Sequence, residues 1–388
     1  MKKEMACLFL MCPILLSGCS GPEQTRLYLQ RELFEKAEPG AKYIMANVRE
    51  RVKVNPAPSG RIEGAHAFSE GLAAVKTGGR WGYVDTAGKL SIPAVYDEAG
   101  DFVDGSAVVR HERLYGLIDG QGEYVLPTRF EAVTDFRGRV GFVRFESQYH
   151  LVDLESRQVV RLDLKLQAAR EFSEGLAAVK SRNKWGFMDR RGREAIECRY
   201  EDVRSFSEGL CGAKWGGRWG YIDRSGKIAI EAGYTIVGDF RDGLAAAYLD
   251  SIRLMFSGII INGFGNQVTE HRFYSSGAIN SGIMPAGAAT RGQENEIEVV
   301  WGYWKPRTDS FITGPDFSCA QPFSNGFAAV AREKKWGLID TSGILKIGFE
   351  YDTITSFRDK RSLASRGGEW RMLVLLGDTI VVETIGQE

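Results

Sequence analysis

Apolar and polar positions recur along this chain at a fixed spacing. An aromatic residue opens each of nine units, and six of the eight intervals between successive openings are 34 residues. These openings are Phe68, Phe102, Phe136, Phe172, Phe206, Phe240, Tyr274, Phe323 and Phe357. A period of this length is typical of a small folded unit that cannot bury its apolar face alone and must stack on its neighbours.

The pattern inside one unit predicts three short antiparallel strands and a fragment of a fourth. A polar turn ending in glycine follows the opening, and a short apolar run such as residues 72–75 comes next. A polar hairpin loop, residues 77–80 in the first unit, leads into a second strand that ends at Asp85. Asp-x-x-Gly closes that strand as a turn, and a third strand follows. The sequence therefore predicts an all-β tandem array of about nine 34-residue repeats.

A second aromatic position marks the units. The residues found thirteen positions after the openings are Trp81, Tyr115, Tyr149, Trp185, Trp219, Arg253, Gly287, Trp336 and Trp370. Arg253 and Gly287 break the rule, and in the seventh unit the ring occurs fourteen residues late, as Trp301. We therefore predict an insertion at residues 278–300, and we expect the sixth and seventh units to hold the least regular strands.

Nine units can close into a ring or remain an open β-solenoid. Rings usually have four to eight blades of roughly 40–50 residues, so nine short units fall outside that range. Closure nevertheless hides the strand edges at the two ends, which an open array must cap. We favour a propeller-like arrangement, with the open solenoid as the alternative.

Four units carry one motif in full: Lys or Arg, then Trp-Gly, an aromatic or aliphatic residue, an aliphatic residue and Asp. They are residues 80–85, 184–189, 218–223 and 335–340. This motif resembles the bacterial WG-repeat family, and the resemblance covers roughly residues 68–388. It implies an all-β modular array, often on secreted or envelope proteins, with no assigned reaction.

The first residues carry a sorting signal rather than part of the fold. Lys2 and Lys3 precede an apolar stretch, residues 5–16, that is too short to span a bilayer. The following Ser17-Gly18-Cys19 resembles the lipobox of bacterial lipoproteins, which implies cleavage before Cys19 and lipid on its thiol. Residues 1–18 would then be a signal peptide, and the acyl chains would hold the protein on a membrane.

Residues 19–67 are interpreted as a lipid-anchored tether that precedes the repeat domain at 68–388. The tether contains a predicted short helix at residues 25–36 and a Pro-rich linker at 55–60. Ser20, directly after the lipid site, resembles lipoproteins sent to an outer membrane, facing the periplasm or the surface, if the cell has one. The predicted location is the bacterial cell envelope.

Charge and cysteine content exclude several classes of partner. Lys plus Arg and Asp plus Glu both number 50, so no net field attracts nucleic acid. Cys198 and Cys211 align with alanines of other units and are interpreted as small core residues. A bridge between them remains an alternative. No CxxC pair supports a metal site, and no cofactor is predicted.

The repeated tryptophans and aspartates have structural interpretations. We expect the rings of Trp81, Trp185, Trp219, Trp301, Trp336 and Trp370 to lie in the core, with sugar stacking as the alternative. Trp215 and Trp304 fall outside the register and are the candidate surface rings for binding. Backbone turns explain Asp85, Asp189, Asp223 and Asp340 without calcium, which needs six to eight oxygens around one point.

Candidate chemistry is sparse. The four histidines stand in different units, and there is no G-x-S-x-G, HExxH or phosphate-cradling glycine loop, so no catalytic residue is assigned. The insertion, with Glu294, Glu296 and Glu298, is either a ligand-contact loop or a tolerated decoration. The sequence favours a non-catalytic envelope lipoprotein that binds an unidentified envelope protein or glycan. The alternative is an envelope enzyme or a glycan-processing accessory.

Overall fold

The computed structural model describes residues 61–249, 258–291, 297–377 and 379–385. Over these ranges the chain contains strands and turns and no helix. The strands form nine small antiparallel sheets, which stand side by side in a ring as a nine-bladed β-propeller. The predictions of an all-β fold and of a propeller rather than an open solenoid are confirmed.

The blades are numbered in chain order, and consecutive strands are neighbours in each of them. Blades 1 to 3 contain β1 (Ile62–Ala65), β2 (Leu72–Thr77), β3 (Arg80–Asp85), β4 (Leu90–Tyr96); β5 (Glu98–Ala99), β6 (Ser106–His111), β7 (Leu114–Asp119), β8 (Tyr124–Phe130); and β9 (Ala132–Val133), β10 (Val140–Phe145), β11 (Gln148–Asp153), β12 (Gln158–Val160). Blades 4 to 6 contain β13 (Ala168–Ser173), β14 (Leu176–Ser181), β15 (Lys184–Asp189), β16 (Glu194–Tyr200); β17 (Asp202–Val203), β18 (Leu210–Trp215), β19 (Arg218–Asp223), β20 (Ile228–Tyr234); and β21 (Ile236–Val237), β22 (Leu244–Tyr248), β23 (Gly258–Asn262). Blades 7 to 9 contain β24 (Ser275–Ser276), β25 (Met284–Arg291), β26 (Ile297–Lys305), β27 (Ser310–Phe317); β28 (Cys319–Ala320), β29 (Phe327–Arg332), β30 (Lys335–Asp340), β31 (Leu345–Tyr351); and β32 (Thr353–Ile354), β33 (Arg361–Arg366), β34 (Glu369–Leu376), β35 (Thr379–Thr384).

The first strand of each blade lies nearest the axis of the ring. An ion pair of 3.7 Å joins Arg358 of blade 9 to Asp101 of blade 2 and so passes over blade 1. Blades that are not neighbours can touch only where the ring is narrowest. Because Asp101 directly follows β5, this contact places the first strands at the centre and the fourth strands at the rim.

Blade 9 closes the ring against blade 1. Leu363, Met372 and Val374 share one buried cluster with Phe68 and Ala73. The guanidinium of Arg61 donates to the carbonyl oxygen of Gly368 at 2.5 Å. Strand β1 already belongs to blade 1, so the repeat domain begins at Ile62, before the boundary expected at residue 68.

The opening phenylalanines form the core between blades. All eight are at most 2 % exposed: Phe68, Phe102, Phe136, Phe172, Phe206, Phe240, Phe323 and Phe357. The tryptophans are less buried than expected. Trp81, Trp185, Trp219, Trp301, Trp336 and Trp370 are half-buried and pack on the edges of the clusters. Trp81 pairs with Tyr96 and is the second residue of β3, directly after the hairpin turn. It therefore lies near the end of its strand rather than in the middle.

The turn between the first two strands of a blade also contacts the next blade, and it reads Phe-Ser-Glu-Gly at residues 68–71, 172–175 and 206–209. In blade 1, Glu70 and Gly71 both have positive φ, 54° and 80°, as a two-residue hairpin turn of type I′ requires. In this turn, the Ser69 hydroxyl donates a hydrogen bond to the carbonyl oxygen of Phe102 at 2.7 Å. The Glu70 carboxylate accepts from the N–H of Gly105 at 2.8 Å. A motif that reads as a simple turn in sequence therefore also makes the contact between blades.

The same contact recurs around the ring. Glu174 accepts from the N–H of Gly209 at 3.0 Å, and Asp359 accepts from that of Gly71 at 3.1 Å across the closure. Glu208 makes two such bonds, from the N–H groups of Asp242 and Gly243 at 2.7 and 2.8 Å. These carboxylates replace interactions that a continuous sheet would otherwise supply between neighbouring strands.

We expect Glu208→Ala to lower the free energy of unfolding by about 1–2 kcal/mol, because hydrogen bonds to a charged acceptor are worth about 1.5–3 kcal/mol and this one is partly solvated. Urea unfolding followed by tryptophan fluorescence measures the change. Glu231→Ala, at an exposed site on β20 in the same blade, is the matched control and should change stability by less than about 0.5 kcal/mol. Equal losses in the two variants would show that the inter-blade bonds contribute nothing.

The glycine of the Trp-Gly pair is required by a bulge. The pairing of β3 with β4 shifts register between Trp81 and Tyr83. This shift presses the backbone of β4 on Gly82, where an added Cβ would lie 2.5 Å from the carbonyl oxygen of Ile92. Gly186 and Gly220 have the same contact at 2.5 Å with Ile196 and Ile230. The motif therefore keeps glycine because no side chain fits there.

The repeated aspartates make the predicted turns. The Asp85 carboxylate accepts from the N–H groups of Ala87 and Lys89 at 2.9 and 3.0 Å, and the N–H of Gly88 donates to the Asp85 carbonyl oxygen at 2.9 Å. Asp189, Asp223 and Asp340 accept the same pair of backbone bonds. Each carboxylate serves its own turn.

Acid should weaken these turns. The hydroxyl of Ser225, together with the N–H groups of Lys227 and Ser225, holds the pKa of Asp223 below its usual value. A pKa lowered by folding adds stability above the unfolded value, and that stability is lost as the pH falls through the folded pKa. We expect the melting temperature to fall below about pH 4. The fall should be shallower in Asp223→Asn, and identical pH profiles would contradict this assignment.

The sixth and seventh units are placed differently from the sequence alignment. Ile279, which is 4 % exposed, occupies the position of the opening phenylalanines, and Asn280 pairs with Ile283 as Ser69 does with Leu72. Tyr274 is therefore not an opening. Gly258 takes the position of the repeated tryptophan in blade 6, since it pairs with Tyr248 as Trp219 pairs with Lys214, and Arg253 lies outside the described residues. Both errors arise from lengthened hairpins, which shift the count of residues.

The three cysteines of the described ranges are unpaired. Cys198, Cys211 and Cys319 are free thiols, so the alternative bridge between Cys198 and Cys211 is not formed. Burial raises the pKa of Cys198 to about 11 and that of Cys211 to about 12. Cys211 is 1 % exposed and packs in the core, as its alignment with alanine predicts.

Candidate binding cleft

A cleft of about 600 Å³ opens between the first strands of blades 6 and 7. One wall is formed by residues 235–239, which include β21, and the other by residues 274–279, which include β24. Arg204 of blade 5 reaches it from the side, and Ala246 and Tyr248 of β22 also line it. The cleft thus faces the centre of the ring.

Small residues on blade 7 explain why the cleft opens here. At the position directly before the core residue, blades 2, 3 and 6 have Asp101, Asp135 and Asp239, whereas blade 7 has Ala278 and blade 1, where His66 comes before it, has Ala67. Gly277 precedes Ala278, and both residues line the cleft. Missing side-chain volume on one wall leaves space opposite Asp239.

A pair of hydroxyl groups crosses the cleft. The Tyr248 hydroxyl lies 2.9 Å from that of Ser276, and the Tyr248 ring packs edge-on against Phe273 at 5.7 Å. Burial raises the pKa of Tyr248, so the phenol stays protonated and can donate. Both groups keep capacity to accept a hydrogen bond from a ligand.

An ion pair stands beside the hydroxyl groups. Nε of Arg204 donates to one carboxylate oxygen of Asp239 at 2.5 Å, and Nη2 donates to the other at 3.2 Å. Hydrogen bonding to Asp239 raises the pKa of Arg204. Both side chains remain about one-third exposed, so the outer donors and acceptors of the pair face the cleft.

The rim adds two apolar groups and one cation. Ile236 is 58 % exposed, and Tyr274 is 38 % exposed at the hairpin end of the cleft. Arg241 donates to the side-chain oxygen of Asn280 at 3.3 Å at the opposite end. A ligand in this cleft would meet an aromatic ring, hydroxyl groups, a neutral ion pair and, at one end, the Arg241 guanidinium.

Neither of the two tryptophans proposed from sequence as binding residues lines the cleft. Trp304 is 1 % exposed, so its interpretation as a surface ring is wrong. In blade 7 it occupies the core position that Val84 holds in blade 1, because Met284 pairs with Trp304 as Ala73 pairs with Val84. Trp215 is half-buried, contacts Tyr200 edge-on at 6.1 Å and does not line the cleft.

The predicted insertion forms part of the long hairpin of β25 and β26. Glu298 is exposed on β26, opposite Thr290, and the cleft lining includes Ala278 but not Glu298. Glu294, Glu296 and Cys19 lie outside the described residues. The described ranges also contain no group of three or more His, Cys, Asp or Glu side chains that could hold a metal ion.

Sequence reasoning missed Arg204, Asp239, Tyr248 and Ser276. One signal was present. The first-strand position occupied by Ser276 is apolar in the other eight blades, which have Ala65, Ala99, Val133, Ala169, Val203, Val237, Ala320 and Ile354. Finding that exception requires the alignment of blade 7, which the lengthened hairpins obscure.

Known proteins agree with this architecture. The family described as "WG containing repeat" matches residues 60–81, 81–114, 115–147, 160–185, 185–219, 219–251, 308–336 and 336–370, more than half of the chain. The protein belongs to the WG-repeat family. The family matches leave out residues 252–307, which contain β23 of blade 6 and the first three strands of blade 7.

Solved structures resemble this WG-repeat protein in fold alone. A eukaryotic initiation factor aligns with a TM-score of 0.54 at 8% identity, over 77% of this chain and 89% of that one. Hsv2p of Kluyveromyces lactis aligns with a TM-score of 0.34 at 9% identity, over 74% and 95% of the two chains. No curated protein matches the sequence. Within the described ranges, no helix has the length and apolar character to cross a membrane.

Proposed function

We propose that this WG-repeat protein is a non-catalytic scaffold of the bacterial cell envelope that binds a protein or glycan partner. The cleft between blades 6 and 7 is the observation that carries the proposal. It combines an exposed aromatic ring, hydroxyl groups and an ion pair on rigid strands, which is typical of a preformed ligand site. The resemblance of residues 16–19 to a lipobox supports attachment to a membrane through Cys19.

Filling the cleft tests the binding site. Ala278 is exposed on the cleft wall, so Ala278→Trp should fold and occupy the space. The full-length tagged protein, purified in mild detergent from its own envelope, should recover a specific partner that Ala278→Trp no longer recovers. Glu298→Trp places the same ring on the long hairpin and should leave recovery unchanged.

The opposite pattern would place binding on the hairpin, as the insertion hypothesis holds, and would reject the cleft. Unfolding temperatures of both variants, measured beside the wild type, confirm that each chain is folded. Hydrolysis of an envelope substrate by the wild type that Ala278→Trp abolishes would contradict a non-catalytic role.

Lipid attachment has its own test. Cys19→Ala should move the protein from the membrane fraction to the soluble fraction, because the acyl chains supply about 0.8 kcal/mol per buried methylene. Cys12→Ala, a cysteine of the predicted signal peptide outside the lipobox, should leave fractionation unchanged. A Cys19→Ala protein that stays wholly in the membrane fraction would refute lipidation at this residue.

A further inference from the structure

We infer that the cleft between blades 6 and 7 binds a neutral glycan, with neighbouring sugar hydroxyls held by Arg204 and Asp239. This inference rests on the proposed function and specifies its ligand. The chemistry of the lining, the shape of the walls and the position of Tyr274 each point to this class.

The Arg204–Asp239 pair suits two adjacent hydroxyl groups. A carboxylate has about four lone-pair sites, and a guanidinium has more N–H donors than Asp239 uses. The N–H donors of Arg204 and the lone pairs of Asp239 that the ion pair leaves free therefore lie next to each other. A sugar hydroxyl both donates and accepts, so two neighbouring hydroxyls can satisfy both members at once. The pair is neutral as a unit, so it favours an uncharged group at this position, while the Arg241 cation lies at the far end of the cleft.

Hydroxyl groups continue this recognition along the cleft. Ser276 replaces an apolar residue of the other blades, and its hydroxyl lies 2.9 Å from that of Tyr248. The two hydroxyl groups form one hydrogen bond with each other, and their remaining lone pairs can accept hydrogen bonds from a polar ligand. Both oxygens are accessible to hydroxyl groups of a second sugar.

The length and the ends of the cleft fit a short oligosaccharide. Residues 235–239 extend along it for roughly 16 Å at about 3.3 Å per residue. Tyr274 closes the hairpin end with a ring that is 38 % exposed. The apolar face of a sugar ring can pack on this phenol while its hydroxyls reach solvent.

A peptide fits the same walls less well. Peptides that add a strand need a long free edge, and β21 and β24 have two residues each. Peptides that bind through side chains need deep apolar pockets for their anchors. The described lining combines hydroxyl groups and an ion pair with the buried apolar residues Val237, Ala246 and Ile279.

Binding of neutral oligosaccharides by the full-length protein in detergent tests the inference. The probes are glucose-, galactose-, mannose- and N-acetylglucosamine-based di- and trisaccharides, measured by isothermal titration calorimetry. At least one should bind, and Asp239→Asn should weaken it about tenfold through loss of a charged acceptor. Asp101→Asn is the matched control, because Asp101 occupies the same position in blade 2 and should leave the affinity unchanged.

Ser276→Val provides a second variant if Asp239→Asn does not fold. Valine is the residue of blades 3, 5 and 6 at this position, so the variant should fold and bind the sugar more weakly. Affinity that is insensitive to Asp239→Asn or Ser276→Val, or lost in Asp101→Asn, would overturn the inference. If none of the sugars binds while Ala278→Trp still abolishes recovery of a partner, the glycan inference fails and the proposed function stands. If recovery is also insensitive to Ala278→Trp, both fail.

Discussion

Trp304→Ala is expected to lower the free energy of unfolding by about 3–5 kcal/mol, the range found for buried Trp or Phe replaced by alanine. The Trp304 ring is 1 % exposed and packs against Phe273 and Phe311 at 6.3 and 6.2 Å. Its indole N–H has no hydrogen-bond partner among the described residues, so the loss measures packing and the cavity left behind. Chemical denaturation followed by circular dichroism gives the value.

Trp215→Ala is the matched control for this prediction. The same side chain is removed, but Trp215 is half-buried at the last position of β18. We expect a loss of about 1–2 kcal/mol, in proportion to the smaller apolar area it withdraws from water. If Trp215→Ala were the more damaging variant, Trp304 would not lie in the core of blade 7, and the placement of that blade would be wrong.

Gly220→Ala should destabilise the propeller by about 3 kcal/mol, because it forces a methyl group on backbone that cannot move alone. An added Cβ would lie 2.5 Å from the carbonyl oxygen of Ile230 and 2.8 Å from the backbone nitrogen of Ala232. Relief requires β20 to shift away from β19, which breaks the ladder of blade 5. The melting temperature and the urea midpoint should both fall.

Gly233→Ala in the same blade provides the comparison. No atom lies within 4 Å of an added Cβ there. Alanine should therefore be neutral or raise stability by about 0.4–1 kcal/mol, since it restricts the unfolded chain. Similar losses at Gly220 and Gly233 would mean that the cost is a property of glycine in strands and not of the bulge. The glycine of the Trp-Gly pair would then need another explanation.

The two halves of the Trp-Gly motif have different roles in the fold, and Gly220→Ala tests the glycine. The glycine is under the stricter constraint, because backbone atoms occupy the space of its side chain. The tryptophan beside it is half-buried in every blade that carries it and packs on the edge of a cluster whose centre is formed by other residues. The core interpretation of the repeated tryptophans was therefore too simple, and the opening phenylalanines take that role.

Several features of the fold could be predicted because they depend on residues close in sequence. Asp85 and Gly88 define one turn through bonds within five residues, and the alternation from residue 81 to 85 defines one strand. Regular units have the same number of residues between these positions, so the turns and strands predicted for one unit apply to the others. It failed where hairpins lengthen: Tyr274 was read as a core opening, although Ile279 holds that position.

The cleft could not be predicted, because its residues meet only across blades. Asp239 and Ala278 belong to different sheets, and the cleft depends on a large side chain in one and a small one in the other. Trp304 shows the same limit. Its sequence neighbours fit a surface aromatic residue as well as a core one, and only its register against Met284 decides between them.

By itself, the sequence determined that this protein is built from nine short all-β units with Asp-x-x-Gly turns, because turn chemistry and side-chain alternation act over a few residues. The tertiary structure alone decided that the units close into a ring, through contacts such as that of Arg61 with Gly368. It also decided which rings are enclosed and where a cleft faces the axis. These outcomes depend on the packing of one blade against the next, which brings together residues that no local pattern relates.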